Sequence, residues 1–546
     1  MQAGLTATVG LTADPTADPT ADPTADMTAD MTADLAQARA WHQAGQLDRA
    51  RQGYLALLAR WPGHAPALAM LGLVDAQQGQ LASAALRFEQ SLRCDPAQPT
   101  VLVQLGRVLG LLQRDDEAIV CFWQAIALQP DLASAHANLG QALRRQQRLD
   151  EALRCCQRAV ELAPGDALGH YFLGNVLRAL GRFAPALRSY QRSTEIDPQL
   201  ADGHWNQSLL HLMLGDLAPG WRLYEWRWRV GSGVQQQRRF AQPLWLGETP
   251  LAGKTLLVHA EQGLGDTLQM CRYLPALAAQ RARLLLQVPA RLTALLTTLN
   301  CPLQIVDNDQ PLPPFDLHCP IMSLPLAMKT TLATVPAVLP AAMLAASPAA
   351  SPAAAPAAIP VTPPAARGYL AADPARVEAW RRRLGPKTRP RVGLVWRGAA
   401  GHPDDARRSA ELAQLQALCR ADIDWHGLQI ELRPGDQALA DAAGISLHCE
   451  QQQDFADTAA LLSQLDLVMA VDTSVAHLAG AMGLPLWLML AQPADFRWLL
   501  DRSDSPWYPS ARLFRQSRPG DWADVLQAMA QSLAERWPPV SASSVA

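Results

Sequence analysis

Charge is scarce in this 546-residue chain, and neither sign dominates. Only 18% of the residues are charged, and 47 basic against 50 acidic side chains leave a formal net charge of −3. A general nucleic-acid-binding protein carries a basic excess, so we expect no nucleic-acid partner. Hydrophobic residues make up 49% of the chain, which excludes wholesale disorder. At about 150 residues per domain, the length allows three to four domains.

Cysteine patterns that would hold a metal or a disulfide framework are also missing. The nine cysteines are scattered, and neither a C-x-x-C nor an H-E-x-x-H motif occurs. We therefore expect a reduced, cytoplasmic protein with no cofactor and no catalytic metal.

Membrane and secretion signals are absent as well. The N-terminus shows no basic segment followed by an apolar one, so we expect no signal peptide. One long apolar run covers residues 465–491, but it contains Asp472 and His477 and is broken at Gly483 and Pro485. This pattern favours a buried α/β core over a transmembrane segment.

A short repeat opens the chain. Residues 12–34 read TADP three times and then continue as TADM, TADM and TAD, with almost no bulky apolar side chains. This composition predicts a disordered tail over residues 1–34, to which we assign no function.

A longer repeat follows, with a period of 34 residues. Four kinds of position recur at this step: a proline (62, 96, 130, 164, 198), a glycine after leucine (72, 106, 140, 174), an alanine (50, 84, 118, 152, 186) and a larger side chain (Tyr54, Phe88, Phe122, Cys156, Tyr190). Small residues let two antiparallel helices approach closely, the larger side chain is expected to fill the gap between hairpins, and proline ends the second helix.

This period and pattern match the tetratricopeptide repeat. Five repeats fit residues 31–64, 65–98, 99–132, 133–166 and 167–200. A sixth, 201–234, keeps Tyr224 but has Gly220 at the alanine position and lacks the closing proline. We therefore predict an all-helical solenoid over residues 35–234, with the sixth repeat as its cap.

The remainder alternates short apolar runs with helical segments, which predicts parallel sheets with right-handed crossovers. We expect two Rossmann-like α/β domains, 235–331 and 367–540, joined by an Ala/Pro-rich linker at 332–366. Predicted strands are 255–260, 284–288, 303–306, 392–396, 425–428, 467–471 and 486–490, and predicted helices in the first domain are 266–280 and 291–299.

The first motif of chemical interest runs from Glu261 to Thr267, between a strand and a helix. Gly263 and Gly265 allow close backbone approach to a phosphate, but the third glycine of a dinucleotide-binding loop is replaced by Leu268, and no acidic residue follows at the required distance. Asp266 can therefore be read as a base that projects into a cleft or as a simple helix cap.

The second motif follows the predicted strand at 467–471, inside the long apolar run. Asp472, Thr473 and Ser474 lie at the start of a helix, where free backbone N–H groups and the helix dipole suit a diphosphate. His477 lies one turn into this helix and can face the same anion. The alternative is an ordinary helix cap with a packed core histidine.

The third motif runs from Trp396 to Ser409 and is rich in arginine. Arg408 and Ser409 follow a strand end and a flexible loop, a setting in which arginine clamps phosphate, although a solvated surface loop fits equally well. A fourth pattern, Asp307-Asn308-Asp309, has the D-x-D form of some nucleotide-sugar sites, but its Pro-rich surroundings favour a turn.

Taken together, these motifs resemble glycosyltransferase family 9, the heptosyltransferase-like enzymes, and particularly proteins in which tetratricopeptide repeats precede such a domain. The resemblance rests on residues 265–275, 407–409, 472–479, 504–509 and 512–516, in the expected order. The arrangement is also similar to protein O-GlcNAc transferases.

The resemblance implies a GT-B fold and metal-independent, inverting transfer from a nucleotide sugar to an acceptor hydroxyl. Asp266 would be the general base. Thr473, Ser474 and His477 would contact the donor diphosphate, Arg408 would bind phosphate, and Asp472 would orient the loop. The repeats would hold a protein or glycan acceptor. The alternative from another class is a protein-interaction scaffold whose α/β half is catalytically inactive.

Overall fold

The computed structural model describes residues 23–231, 233–335, 368–399, 401 and 405–538. The chain divides into two compact units, Met1–Leu200 and Ala201–Ala546. The predicted fold class is confirmed in its coarse form, since the first unit is a helical solenoid and the second combines parallel sheets with helices.

The described part of the N-terminal unit consists of helices paired into hairpins. They are α1 (Pro23–Gln43), α2 (Leu47–Arg60), α3 (Ala65–Gln77), α4 (Leu81–Cys94), α5 (Pro99–Leu111), α6 (Asp115–Leu128), α7 (Ala133–Arg145), α8 (Leu149–Leu162), α9 (Ala167–Ala179) and α10 (Phe183–Ile196). Each predicted repeat is therefore one antiparallel pair, and its prolines lie in the connections between pairs.

The recurring glycine and the recurring larger side chain contact each other within one hairpin. A Cβ placed on Gly72 would lie 2.8 Å from the Phe88 ring, and one on Gly174 would lie 2.6 Å from the Tyr190 ring. The ring occupies the space left by the missing glycine side chain, and this contact sets the distance between the two helices. The larger side chain also packs towards the next hairpin, as predicted, since Tyr54 of α2 shares a buried cluster with Leu71 and Val74 of α3.

The predicted tail and the structure differ over residues 23–34. Helix α1 begins at Pro23, and residues 1–22 lie outside the described residues. Pro23 is the last proline of the TADP run, and Met27 and Met31 occupy the next equivalent positions. Proline is tolerated at the first position of a helix, which is where Pro23 stands in the described helix.

The C-terminal unit starts with a sixth hairpin and continues into two lobes. Its helices are α11 (Ala201–Met213), α12 (Leu217–Tyr224), α13 (Gly233–Gln236), α14 (Leu264–Met270), α15 (Leu274–Ala279), α16 (Ala290–Leu296), α17 (Leu324–Ala327), α18 (Pro374–Leu384), α19 (Asp405–Arg408), α20 (Leu412–Leu415), α21 (Asp436–Ala443), α22 (Phe455–Leu462), α23 (Ser474–Ala481) and α24 (Ala523–Arg536). In the described ranges, no helix has both the length and the apolar character needed to cross a membrane.

Two parallel sheets form the cores of the lobes. Their strands are β1 (Thr255–His259), β2 (Arg283–Val288), β3 (Gln304–Asp307), β4 (Leu317–Pro320), β5 (Arg391–Val395), β6 (Asp424–Gly427), β7 (Ile445–Leu447), β8 (Leu467–Val471), β9 (Leu486–Leu490) and β10 (Ala511–Arg515). The first sheet has the order β3-β2-β1-β4 and the second β10-β9-β8-β5-β6-β7. Strands covered on both faces, such as β8 and β9, read as unbroken apolar runs.

Every predicted strand is present within a residue or two, but three strands were missed. β4, β7 and β10 are short or carry polar residues, as in LHCP, ISL and ARLFR, and they lie at the edges of their sheets. The predicted helix 266–280 is divided into α14, a 3₁₀ turn and α15, with Pro275 near the start of α15. Most of the predicted Ala/Pro linker lies outside the described residues.

The sixth hairpin belongs to the C-terminal unit, although its repeat pattern assigned it to the solenoid. A Cβ on Gly220 would lie 2.6 Å from Leu212, so α11 and α12 approach each other as closely as the helices of the earlier repeats. Helix α12 packs against α17, and α11 packs against the 3₁₀ turn Phe496–Trp498. The division into two compact units falls after Leu200, so the sixth hairpin, which the repeat pattern places as a cap, lies in the C-terminal unit.

Replacing Gly174 with alanine should destabilise the N-terminal unit. The new methyl group would overlap the buried Tyr190 ring, and such overpacking costs about 1–3 kcal/mol, which outweighs the helix propensity of alanine. Gly169→Ala in the same helix is the matched control, since its Cβ would meet nothing closer than 3.4 Å. Urea denaturation should show a loss for Gly174→Ala and no loss for Gly169→Ala. Equal stabilities would refute the packing argument.

Candidate functional site

The first motif lies at the carboxyl edge of the first sheet. β1 pairs with β2 on one side and with β4 on the other. The strand order therefore changes direction at β1, which makes this the topological switch point of the sheet. Ligands bind at such points in open α/β sheets. Helix α14 begins here. The Gly263 N–H donates to Asp266 Oδ2 at 2.7 Å, which confirms the helix-cap interpretation of Asp266.

The second motif lies at the corresponding point of the second sheet. β5 and β8 are neighbours, and β6 and β9 continue the sheet on opposite sides. Thr473 precedes α23, and its Oγ1 is buried without a hydrogen-bond partner among the described residues. Thr473 and Ser474 therefore occupy the predicted place at the helix start, and one hydroxyl there has no partner within the described chain.

Helices α14 and α23 pack against each other, so the carboxyl ends of the two sheets lie close together. A Cβ on Gly265 would lie 2.7 Å from the imidazole carbon Cδ2 of His477. Gly265 was predicted to allow approach of a phosphate, but in the structure its missing side chain allows close approach of the two lobes. Gly263 serves as the cap residue of α14.

Arg497, which the sequence did not single out, lies at the centre of this contact. Its guanidinium donates to Asp266 Oδ1, to Asp495 Oδ1 at 2.7 Å and to Gln269 Oε1 at 3.0 Å. Burial lowers the pKa of Arg497, but the carboxylates of Asp495 and Asp266 outweigh it and hold that pKa well above its usual value. Asp266 therefore belongs to an ion pair between the lobes.

Asp472 lies within the same charged group. Burial, followed by repulsion from Asp495, raises the pKa of Asp472 to about 6, and the cations Arg497 and Arg408 oppose this shift. One carboxylate oxygen lies 3.7 Å from His477 Nε2. The carboxyl of Asp472 therefore ionises only near neutral pH.

His477 is a packed and uncharged side chain. Its Nδ1 hydrogen-bonds the Tyr508 hydroxyl at 2.9 Å, and its ring stacks on Trp498 with centroids 5.4 Å apart. Burial, followed by the nearby arginines, lowers the pKa of His477 well below its usual value. The core-histidine alternative is the one that the structure supports, because a buried neutral imidazole brings no positive charge to a diphosphate.

The arginine motif also reaches this place. Arg408 lies over the Gly398 backbone and is close enough to Asp472 and His477 to lower both of their pKa values. Its Nε is buried and has no hydrogen-bond partner in the described part of the chain. Ser409 instead serves the local fold, since its hydroxyl donates to Asp405 at 2.8 Å and accepts from the Gly398 N–H at 3.3 Å.

The sixth hairpin covers the first motif. The Arg227 guanidinium donates to both carboxylate oxygens of Glu261 at 2.9 and 3.0 Å, and the Tyr224 hydroxyl donates to Gln262 at 3.1 Å. The Trp221 ring meets Phe496 edge-on, with centroids 5.9 Å apart. The loop that leads to Asp266 is thus fixed from outside the sheet by aromatic and ionic contacts.

The D-x-D pattern is a turn, as predicted. Asp307 ends β3, and its carboxylate accepts the Asp309 N–H at 3.1 Å. Across the described ranges, no group of three or more His, Cys, Asp or Glu side chains is arranged to hold a metal ion.

Comparison with known proteins places tetratricopeptide repeats in the N-terminal region. Three family models of this repeat match residues 35–99, 111–147 and 131–199. Protein FlbA of Caulobacter vibrioides is 26% identical over 179 residues, which cover 31% of this chain and 29% of FlbA. The chain thus spans less than a third of that relative.

Among solved structures, YrrB, a tetratricopeptide-repeat protein with an unusual peptide-binding site, is 24% identical. The match covers 32% of this chain and 91% of YrrB, with a TM-score of 0.28. PilF of Pseudomonas aeruginosa is 19% identical, and the match covers 37% of this chain and 92% of PilF, with a TM-score of 0.33.

The raised pKa of Asp472 predicts a pH-dependent effect of Asp472→Asn. In the unfolded chain Asp472 loses its proton at about pH 4, whereas in the folded protein it keeps the proton up to about pH 6. Asp472 therefore lowers the free energy of unfolding as the pH rises from about 4 to 6. Above that range the loss is at most about 3 kcal/mol. Relative to wild type, Asp472→Asn should raise the melting temperature more at pH 7.5 than at pH 4.5. Asp309→Asn, in an exposed turn, is the control. A pH-independent difference for Asp472→Asn would contradict the assignment.

Proposed function

We propose that the C-terminal unit is a glycosyltransferase of GT-B type, which moves a sugar from a nucleoside diphosphate to an acceptor hydroxyl. The observation that carries the proposal is that the carboxyl ends of the two parallel sheets lie close together. Asp266 comes from one lobe, and Thr473 and Arg408 come from the other. Each of these three residues also lies in a stretch that resembles glycosyltransferase family 9.

The donor diphosphate would bind at the second sheet. The Thr473 hydroxyl and the Arg408 Nε have no protein partner among the described residues, and both are buried. A buried polar atom without a hydrogen-bond partner destabilises the folded protein. A ligand that accepts hydrogen bonds from these two groups removes that cost, which favours its binding. The start of α23 adds backbone N–H groups and a favourable dipole for the same anion.

Asp266 would take the proton from the acceptor hydroxyl. The hydroxyl oxygen then attacks the anomeric carbon from the side opposite to the diphosphate, the bond from that carbon to the phosphate oxygen breaks, and the diphosphate leaves with the electron pair. Inversion follows from this single displacement. Arg408 and the start of α23 stabilise the charge that develops on the leaving group.

The ion pair between Asp266 and Arg497 has a direct consequence for this reaction. While Arg497 donates to Asp266, that carboxylate oxygen is engaged and is not free to accept a proton from an acceptor hydroxyl. A donor diphosphate beside Thr473 offers Arg497 another anion, and a guanidinium that turns to it releases Asp266. Donor binding would therefore precede activation of the acceptor.

The second candidate function is a scaffold with an inactive α/β unit. It is favoured by the engagement of both Asp266 oxygens, one with the Gly263 N–H and the other with Arg497, and by the neutral state of His477. Calorimetric titration with UDP-, GDP- and ADP-sugars separates the two, because a pure scaffold should bind none of them.

Thr473→Val should separate donor affinity from stability. Valine keeps the branched shape and removes only the hydroxyl, which bonds nothing in the described chain, so the melting temperature should stay equal or rise. Affinity for a nucleotide sugar should fall by about tenfold, because the variant loses one hydrogen bond worth about one to two kcal/mol.

Thr458→Val is the matched control for that substitution. The Thr458 hydroxyl donates to the Asp454 carbonyl at 3.3 Å inside α22, so its loss should lower stability and leave donor affinity unchanged. Unchanged donor affinity in Thr473→Val would remove Thr473 from the proposed diphosphate site.

Asp266→Asn should lower turnover about 10²–10⁴-fold, because asparagine cannot accept the proton. Donor affinity should stay equal or rise, because the variant no longer competes with the diphosphate for Arg497. Asp495→Asn is the control, since it also removes a carboxylate from Arg497 but leaves Asp266 in place. Turnover and donor affinity are measured for both variants with the nucleotide sugar that the titration identifies. Equal losses of turnover would assign the effect to the lobe contact, and full turnover in Asp266→Asn would place the base elsewhere.

A further inference from the structure

Large apolar side chains are exposed on α4 and α6, the second helices of repeats two and three. Leu86 on α4 is 48% exposed, and Val120 and Trp123 on α6 are 54% and 47% exposed. Leu86 and Val120 occupy the same position of the repeat, one period of 34 residues apart. Apolar side chains that are scattered singly over a surface need no explanation, but a group of them on successive second helices indicates an interaction surface.

The hairpin itself does not require apolar side chains at these positions. The residues equivalent to Val120 and Trp123 in the next two repeats are polar. They are Arg154 and Gln157 on α8 and Arg188 and Gln191 on α10. All of these repeats form the same kind of helix pair. The apolar side chains on α6 therefore need an explanation other than folding of the repeat.

Opposite charges lie at opposite ends of this exposed surface. Asp116, in the first turn of α6, is one turn before Val120 on the same face, and it accepts a hydrogen bond from the uncharged side chain of Gln146. Arg93 lies in the last turn of α4, two turns after Leu86, and forms no ion pair within the described ranges.

The residue between Leu86 and Arg93 on this face of α4 is Glu89, which is half-buried. The surface thus combines an acidic start on α6, an apolar middle on both helices and a basic end on α4.

This surface is complementary to itself under two-fold symmetry. Because α4 and α6 are both second helices, they run in the same direction within one chain. A two-fold axis across the helices reverses that direction, so α6 packs antiparallel against α6 of a second copy, and Val120 contacts its Trp123 twice. Leu86 of α4 then lies beside the same tryptophan. The basic end of α4 lies beside the acidic start of the reversed α6, which brings Arg93 to Asp116 of the second copy.

We propose that two copies of this chain associate through the exposed face of α4 and α6, with Trp123 at the centre of the contact. Tryptophan is enriched at the centres of protein interfaces, where it buries a large apolar area. A second copy fits this surface better than an unrelated partner, since two-fold symmetry sets its acidic end against its basic end. The proposal does not depend on glycosyltransferase activity, because all of these residues lie in the N-terminal unit.

Sedimentation equilibrium of the full chain measures this association directly. Two helices per copy form a small interface, so the average mass should rise from 59.1 kDa towards twice that value between about 1 and 100 micromolar. The double variant Val120→Arg with Trp123→Gln gives repeat three the side chains of repeat four, and it should raise the dissociation constant at least about tenfold. Leu111→Gln is the matched control, because Leu111 is 65% exposed on the first helix α5 and should change association little.

An exchange of charges tests the two-fold arrangement. Arg93→Glu alone should weaken association about tenfold, because the dimer then holds two pairs of like charge in place of two pairs of opposite charge. Adding Asp116→Arg to that variant should restore association to near the wild-type value, since opposite charges meet again.

Circular dichroism and the melting temperature establish that each variant is folded. The proposal is overturned by a wild-type chain that stays monomeric up to about 100 micromolar. Unchanged association in the Val120 and Trp123 variant, an equal loss in Leu111→Gln, or a charge exchange that restores nothing would each overturn it as well.

Discussion

The guanidinium of Arg497 links the two lobes of the C-terminal unit, and the arrangement around it depends on its charge. A buried arginine without partners is strongly unfavourable, and here carboxylates from both lobes accept its hydrogen bonds. Asp266 comes from one lobe and Asp495 from the other. The contact of Gly265 with His477 lies next to this ion pair, and any side chain on Gly265 would push the same two helices apart.

This constraint gives one carboxylate two tasks that compete. Asp266 caps α14 and neutralises Arg497, and the proposed reaction requires it to accept a proton as well. A base that is paired with a cation becomes active only when the cation finds another anion. The leaving group of a nucleotide-sugar reaction is such an anion. The Thr473 hydroxyl and the Arg408 Nε, which have no hydrogen-bond partner among the described residues, lie beside the place it would occupy. The ion pair is thus consistent with a transferase in which the donor binds first, and a scaffold would use it only as a link between lobes.

The repeats and the central strands could be predicted from sequence because each depends on a local, periodic signal. The 34-residue period indicates closely packed helix pairs, and an unbroken apolar run such as β8 indicates a strand that is buried on both faces. Arg497 offers no such signal: it is a single arginine whose partners lie 231 residues away at Asp266 and two residues away at Asp495. The edge strand β7, with only three residues, is likewise held by its neighbour rather than by its own composition.

The sixth hairpin shows why a repeat pattern cannot define a domain boundary. The pattern describes how two helices of a hairpin fit each other, and Gly220 and Tyr224 meet that requirement. The boundary is instead decided by the outer surface of the hairpin, where Trp221 contacts Phe496 and Arg227 pairs with Glu261. These contacts hold the loop before Asp266 and the turn that carries Arg497, so the hairpin supports both ends of the central ion pair. Its sequence is that of a repeat, but its packing makes it part of the α/β unit.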